Sequence, residues 1–251
     1  KFVGLQSTGY NVIDCKAARA RNITVSNIPA YSTMGVAQLV FAFILQVADN
    51  VSLHSDAVHN GEWCECPDFC FWKTPLTELD GKTIGIIGFG SIGRRVAQIA
   101  NAFGMNVEVF TPHPKSDEYK NVNFVDFDTL LSDSDFITCH CPLTEKTENL
   151  IDKTAIDKMK KNAVVINTSR GPVVNDEDLA DALNSGKIKA AGVDVLRVEP
   201  PEKENPLLHA KNCYITPHIA WAAYETRARL LGILEQNIKA YIDGNPINVV
   251  N

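Results

Sequence analysis

An excess of basic residues is missing from this chain. Across 251 residues, 24 Lys and Arg stand against 30 Asp and Glu, a formal net charge of −6. Nucleic-acid binding draws on clustered cations that neutralise phosphates, so that class of partner is excluded. An anionic substrate must instead be met by local charge. Long apolar runs are missing too. The longest, Val36 to Ala48, is broken by Gln38 and Gln46 and falls short of the roughly 20 residues that span a bilayer. The amino end carries no signal-peptide pattern, so no membrane is expected as a partner and the expected location is cytoplasmic.

Nor is there an internal repeat, a low-complexity tract or an even set of cysteines. Seven cysteines in a chain of this size point to reduced thiols rather than a disulfide framework. Cys139, Cys141 and Cys213 lie in apolar, strand-like runs and are expected in the core. Cys64, Cys66 and Cys70 come closer to a metal-site spacing, with His54 and His59 upstream, but no second ligand pair follows at zinc-site spacing. Free thiols on a loop rich in Trp63, Phe69, Phe71 and Trp72 are the preferred reading, and no metal is expected.

What is present begins with Gly88-Phe89-Gly90-Ser91-Ile92-Gly93, set between the apolar run Thr83–Ile87 and the helical pattern Arg94–Ala100. Strand, tight turn and helix in that order form a dinucleotide cradle. The first glycine permits the turn, the second lets backbone approach a pyrophosphate, and the third lets helix pack on strand. The helix N-terminus adds partial positive charge. A glycine turn with a purely structural role is the alternative, and the flanking strand and helix weigh against it.

From Leu76 onward, short β-rich runs alternate with helical patterns, which predicts a parallel sheet covered on both faces. The strands are expected at Thr83–Gly88, Asn106–Phe110, Phe136–Cys141, Ala163–Asn167, Ala190–Val195 and Cys213–Thr216, and the helices at Ser91–Phe103, Phe127–Ser132, Lys153–Met159 and Asp176–Asn184. The last of these is capped by Asn175, with acids in its first turn. Ahead of them, Phe2–Gln6, Val12–Arg21 and Ile23–Asn27 read as a βαβ fragment too small to bury its own core, which implies further chain upstream. Thr33–Val47 and Ala223–Asp243 are helices long and apolar enough to link or brace two domains, with Gly244 as a stop after the second.

Three segments each end a predicted strand, where ligands bind in open α/β sheets: Asn167–Pro172, Asp194–Pro201 and Pro217–Trp221. They offer a cation, a carboxylate and an imidazole. That set suits hydride transfer to or from a 2-oxo acid, whose carboxylate needs a fork-like cation and whose carbonyl oxygen needs a proton. Arg170 is the candidate for substrate carboxylate and reacting oxygen, with a surface salt bridge as its alternative. His218 is the candidate acid and base, because imidazole titrates near neutrality. Glu199 would hydrogen-bond the ring, fix its tautomer and stabilise the imidazolium; a solvated acid in a charged loop is its alternative. Asp194 closes an apolar strand and is the candidate acceptor for the nicotinamide carboxamide, with ordinary helix capping as the other reading.

Taken together and in this order, the GFGSIG turn, NTSRGPVVN, the EPP triplet and PHIAW resemble the D-isomer-specific 2-hydroxyacid dehydrogenase family, across essentially the whole chain. Pro29–Thr33, Gly61–Trp63, Asp68–Trp72 and Asn245–Asn251 look most like its glycerate dehydrogenases, or hydroxypyruvate reductases. The resemblance places Arg170, Glu199 and His218 on catalytic positions and implies backbone contacts to the substrate carboxylate near Thr8 and Gly9. It implies cofactor contacts at Gly88, Gly90, Ser91, Ile92, Gly93, Thr111, Pro142, Thr168 and Asp194. It also implies a homodimer built largely from helices such as Thr33–Val47, and an α/β fold: a Rossmann-type doubly wound parallel sheet plus an incomplete flavodoxin-like substrate lobe. On that view residues 1–28 with 221–251 form part of the substrate lobe, and residues 29–220 the dinucleotide-binding domain with its linking helix.

One position departs from the family. About twenty residues beyond the glycine turn, where an acid would grip the adenosine ribose, stands Thr111. Thr111-Pro112-His113-Pro114-Lys115 could instead accept a 2′-phosphate, so NADP stays open beside the favoured NAD. The expected activity is an oxidoreductase acting on a small D-2-hydroxy or 2-oxo acid such as D-glycerate, hydroxypyruvate or glyoxylate. The alternative is a dinucleotide-sensing scaffold of the corepressor type that acts by binding protein partners.

Overall fold

The computed structural model describes residues 1–114, 119 and 121–251. Two units emerge from it, residues 1–36 with 219–251 and residues 37–218.

In the first unit, β1 (Phe2–Gly4) and β2 (Thr24–Ser26) pair in parallel, with α1 (Cys15–Ala20) as the crossover. The side chain of Asp14 caps α1 by accepting from the Ala17 amide at 2.8 Å. The long helix α8 (Tyr224–Ile242) contributes Leu230 to a small cluster with Ile28 and Tyr31, and its Tyr241 stacks on Phe2 at 4.7 Å. Polar fastenings supplement this small core: buried Asn237 donates to Asn27 O at 2.9 Å, and the Val25 amide donates to Asn251 Oδ1 at 2.8 Å.

The second unit is a seven-stranded sheet. Its strands are β3 (Thr83–Ile87), β4 (Asn106–Phe110), β5 (Asn123–Phe124), β6 (Phe136–Cys139), β7 (Val164–Asn167), β8 (Ala190–Val193) and β9 (Cys213–Ile215), all parallel in the order β5-β4-β3-β6-β7-β8-β9. Side-chain alternation along each strand feeds two cores. Ile84, Ile86, Phe136, Val164 and Ile166 face one that also takes Val40, Phe43, Ile44 and Val47 of α2 (Thr33–Asp49) and Val96, Ala97 and Ala100 of α4 (Ser91–Ala102). Ile87, Ile137, Cys139 and Val165 face the other, with Leu130 and Leu131 of α5 (Phe127–Asp133), Ile156 of α6 (Lys153–Lys158) and Leu179 and Leu183 of α7 (Asp176–Ser185). A strand buried on both faces reads as a continuous apolar run, which is why these strands stood out in the sequence.

Several strands end earlier than expected, and in each case the backbone turns off to build a loop at the carboxyl edge. β3 stops at Ile87 because Gly88 takes φ +95°, and β6 and β8 stop at Cys139 and Val193. The two-residue strand β5 and the helix α3 (Val51–His59) were not anticipated. The helix expected at the dimer face spends most of its apolar side chains inside its own chain: Val40, Phe41, Phe43, Ile44 and Val47 of α2 are buried. No single helix among the described residues is long and apolar enough to cross a membrane.

Candidate active site

The order of the sheet reverses between β3 and β6, which opens a crevice at the carboxyl ends of these two neighbours. Gly88 occupies one wall. A Cβ there would stand 2.8 Å from Cys141 N and from His140 C and O, so no other residue fits, and the φ of +95° is itself one that L side chains rarely adopt. Gly93 lies so near Gly88 O that a Cβ would come within 2.3 Å, which brings α4 hard against the turn. Gly90 is the contrast. A Cβ on it would meet nothing within 4 Å, and as the cap of α4 it makes no side-chain capping bond. The first-turn amides of α4 thus face open space with the positive end of the helix dipole behind them, and a pyrophosphate fits that space. Ser91 is exposed at the start of α4 and Ile92 packs against the core behind it.

Thr168, just past β7, is buried, and its Oγ1 has no hydrogen-bond partner. An unpaired buried hydroxyl is costly, and a carboxamide arriving at this edge would relieve it. Asp194, just past β8, is 1% exposed and accepts from Thr216 Oγ1 at 2.5 Å. No helix starts at Asp194, so the capping alternative fails. Thr111 follows β4 and is half-buried, His113 is exposed, and Lys115 lies outside the described residues. Pro142, in the loop after β6, is exposed and its carbonyl accepts from Thr147 Oγ1 at 2.6 Å.

Arg170, Glu199 and His218 follow β7, β8 and β9, three neighbouring strands. The turn carrying Arg170 is built by Asn167, whose Oδ1 accepts from Ser169 N at 3.1 Å and Ser169 Oγ at 2.8 Å while its Nδ2 donates to Arg170 O at 2.9 Å. One Arg170 nitrogen donates to Ser169 O at 2.7 Å, leaving the other donors of the fork for a ligand. Glu199 is held by the Leu196 amide, which donates to its Oε1 at 2.9 Å, and its Oε2 sits 2.6 Å from His218 Nδ1. His218 itself adopts φ +52°, with its amide donating to Asp194 O at 2.8 Å and Thr216 O at 2.9 Å. A left-handed histidine is strained, and surrounding bonds of this kind hold such strain where function uses it. From the sequence Asn167, Leu196 and Thr216 had a place in strands or edge segments but no role of their own; asparagine at a strand end was the one available signal.

Thr8 and Gly9 belong to the first unit. Thr8 Oγ1 donates to Ile28 O at 2.7 Å, and Ser7 Oγ donates to Gly9 O at 2.6 Å.

Burial governs the thiols. It pushes Cys141 up to about 11 and Cys213 to about 12, and raises Cys139 well above its ordinary value. Cys64 and Cys70 are exposed, and Cys66 Sγ lies 3.8 Å from Cys70 O. Among the described residues no three His, Cys, Asp or Glu side chains are grouped to hold a metal ion.

Comparison with known proteins agrees with this arrangement. Residues 41–220 match the family described as D-isomer specific 2-hydroxyacid dehydrogenase, NAD binding domain. A hydroxypyruvate reductase from Blautia hydrogenotrophica is 48% identical over 252 residues, covering 100% of this chain and 78% of the relative. A glycerate dehydrogenase from Methylorubrum extorquens is 38% identical, again over 100% of this chain and 78% of its own length. Among solved structures, an acyclic imino acid reductase in complex with NADPH and D-Arg superposes with a TM-score of 0.89 at 33% identity, covering 100% of this chain and 78% of that one. None of these is a corepressor. The chain belongs to the D-isomer specific 2-hydroxyacid dehydrogenase family and is an NAD-binding oxidoreductase.

Proposed function

We propose that this member of the D-isomer specific 2-hydroxyacid dehydrogenase family interconverts hydroxypyruvate and D-glycerate, and reduces glyoxylate as a second substrate. The observation that carries the reading is the 2.6 Å contact between His218 Nδ1 and Glu199 Oε2, at the sheet edge where Arg170 also emerges. The similarity to a hydroxypyruvate reductase at 48% identity supports the choice of substrate. When bound, the dinucleotide supplies or accepts the hydride at substrate C2.

The chain's own residues then have distinct tasks. Arg170 grips the substrate carboxylate and polarises the C2 oxygen with its fork of fixed donors. His218, with Nδ1 tied to Glu199, presents Nε2 to that oxygen and gives it a proton on reduction or takes one on oxidation. Glu199 fixes the ring and stabilises the imidazolium. Thr168 and Asp194 orient the carboxamide, and Gly88, Gly90 and Gly93 shape the pyrophosphate cradle. NAD is the favoured cofactor, with NADP accommodated if Thr111 and His113 tolerate a 2′-phosphate.

We place the protein in the cytoplasm, which its seven free thiols support. We assign it a homodimer, supported by large apolar side chains left open on the second unit: Trp63 is 51% exposed, Phe69 89% and Trp72 66%. The test is loss of reduced-nicotinamide absorbance with hydroxypyruvate, glyoxylate, pyruvate and a phosphorylated 2-oxo acid, each with NADH and NADPH. Hydroxypyruvate should give the highest kcat/KM. Cofactor binding without turnover on any acid would overturn the proposal in favour of a scaffold.

A further inference from the structure

The loops after β6, β7 and β8 stand side by side, and the second and third carry Arg170 and Glu199. The exposed part of the third borders a surface hollow of about 420 Å3 whose walls include Asn149, Asn175, Arg197, Val198 and Asn205. Leu196 and Leu207 anchor this loop in the core, but the exposed stretch between them that carries Glu199 has few close-packed neighbours to fix it. Its position is set by polar fastenings and by close backbone contact.

Both kinds of fastening are present. At Gly171 a Cβ would fall 2.0 Å from Leu196 C and O and 2.5 Å from Arg197 N, so the turn after Arg170 lies directly against the backbone that leads to Glu199. On the outer side, the Arg197 guanidinium donates to Glu148 Oε1 at 3.2 Å and to Asn149 Oδ1. The Asn149 amide in turn donates to Pro172 O at 2.8 Å, two residues beyond Arg170. Asn149 takes φ +51°, a conformation asparagine tolerates, and within it both its amide and its side chain serve the clasp. Farther along the loop, Asn205 Nδ2 donates to Asp176 Oδ2 at 2.9 Å.

We infer that Arg197 is a positioning residue for the reaction: through Asn149 it clasps the loop bearing Glu199 to the turn bearing Arg170, and so fixes the spacing of carboxylate and guanidinium. This rests on the assignment of Arg170, Glu199 and His218 proposed above. Arg197 and Glu148 are 36% and 53% exposed at their side chains, so their pairing adds little to global stability. Its effect is local. A catalytic group displaced by about 1 Å can cost up to a hundredfold in rate.

The experiment uses the full chain with hydroxypyruvate and NADH. Arg197→Met should lower kcat about tenfold, with substrate KM, cofactor affinity and thermal midpoint close to those of the parent. Arg197→Lys, which still reaches one acceptor, should recover part of the loss. Asn149→Gly keeps the left-handed backbone and removes the side-chain acceptor, so it should mimic Arg197→Met, and the double variant should lose no more than either alone. An unchanged kcat in Arg197→Met, a loss seen only in thermal midpoint or KM, or losses that add in the double variant would overturn the clasp. His218→Ala, assayed alongside, separates the two levels. If it retains turnover, the catalytic assignment itself fails; if it is inactive while Arg197→Met is normal, only the clasp fails.

Discussion

His218 Nδ1 lies 2.6 Å from Glu199 Oε2, and the histidine that makes this contact has φ +52°. The ring's direction is therefore set twice, by the carboxylate and by a backbone held in place through Asp194 O and Thr216 O. His218→Ala should reduce kcat by about 10²–10⁴ while NADH still binds, because the cradle around Gly88 is untouched. Glu199→Gln keeps a hydrogen-bonding partner for the ring but removes its charge, so a smaller loss in kcat is expected. Steady-state kinetics combined with nicotinamide fluorescence titration reads both. Wild-type turnover in His218→Ala would remove the imidazole from the chemistry.

Two glycines at the sheet edge should respond in opposite ways to the same added methyl. Gly171→Ala drives a Cβ into Leu196 and Arg197 backbone that cannot move aside, so a stability loss of about 1–3 kcal/mol is expected together with reduced kcat. Gly90→Ala meets nothing within 4 Å in the chain, so its thermal midpoint should hold. The methyl would instead occupy the space left for the pyrophosphate, and NADH affinity should fall. Calorimetric unfolding and binding, run on both variants, compare the two. Equal stability losses would contradict the idea that only one of these glycines is packed against.

The features legible in the sequence were those that local chemistry enforces. The glycine turn, the Asn175 cap with Asp176, Glu177 and Asp178 behind it, and the strand ends bearing Arg170, Glu199 and His218 all leave a pattern within a few residues. Helix α3 left none: its cap Asn50 sits in a left-handed conformation and spends its side chain on Thr74 and Tyr214 instead of capping, and Ala57 is its one buried residue. Helix α2 was legible as a helix, and its buried side chains pack on its own sheet; an apolar face reads the same in the sequence whether it packs there or on another copy. The contacts that position the site were beyond reach because they join distant residues, as Thr216 to Asp194 and Arg197 to Asn149.

His140 makes stability depend on pH below neutrality. Burial pulls its imidazole down to about 3, its Nε2 pairs with Thr138 Oγ1 at 2.9 Å and its Nδ1 is buried without a partner. Below an ordinary imidazole value of about 6.5 the unfolded chain takes up a proton that the folded chain refuses. The stability present above that value is thus lost progressively as pH falls toward 3, by about 2 kcal/mol between pH 7 and pH 5 from this group alone. Urea denaturation across that interval should show the slope, and His140→Gln should flatten it. An identical slope in the variant would assign the effect to other groups.

Alkylation rates should separate buried from exposed cysteines. The thiolate is the reactive form, and with Cys141 near 11 and Cys213 near 12 only about one thiol in a thousand or fewer is ionised at pH 8. Cys139 is fully buried and Cys141 and Cys213 are partly buried, so iodoacetamide should label these three far more slowly than exposed thiols in the native protein. Cys64 and Cys70 are exposed and should label in the native protein, as peptide mass mapping would show. The same measurement separates two other ideas about their loop. A zinc ion held there would make labelling depend on a chelator, whereas a dimer that covers Trp63, Phe69 and Trp72 would make it slow as protein concentration rises. The absence of a grouped ligand set among the described residues favours concentration dependence without chelator dependence, and the reverse result would restore the metal reading of these cysteines.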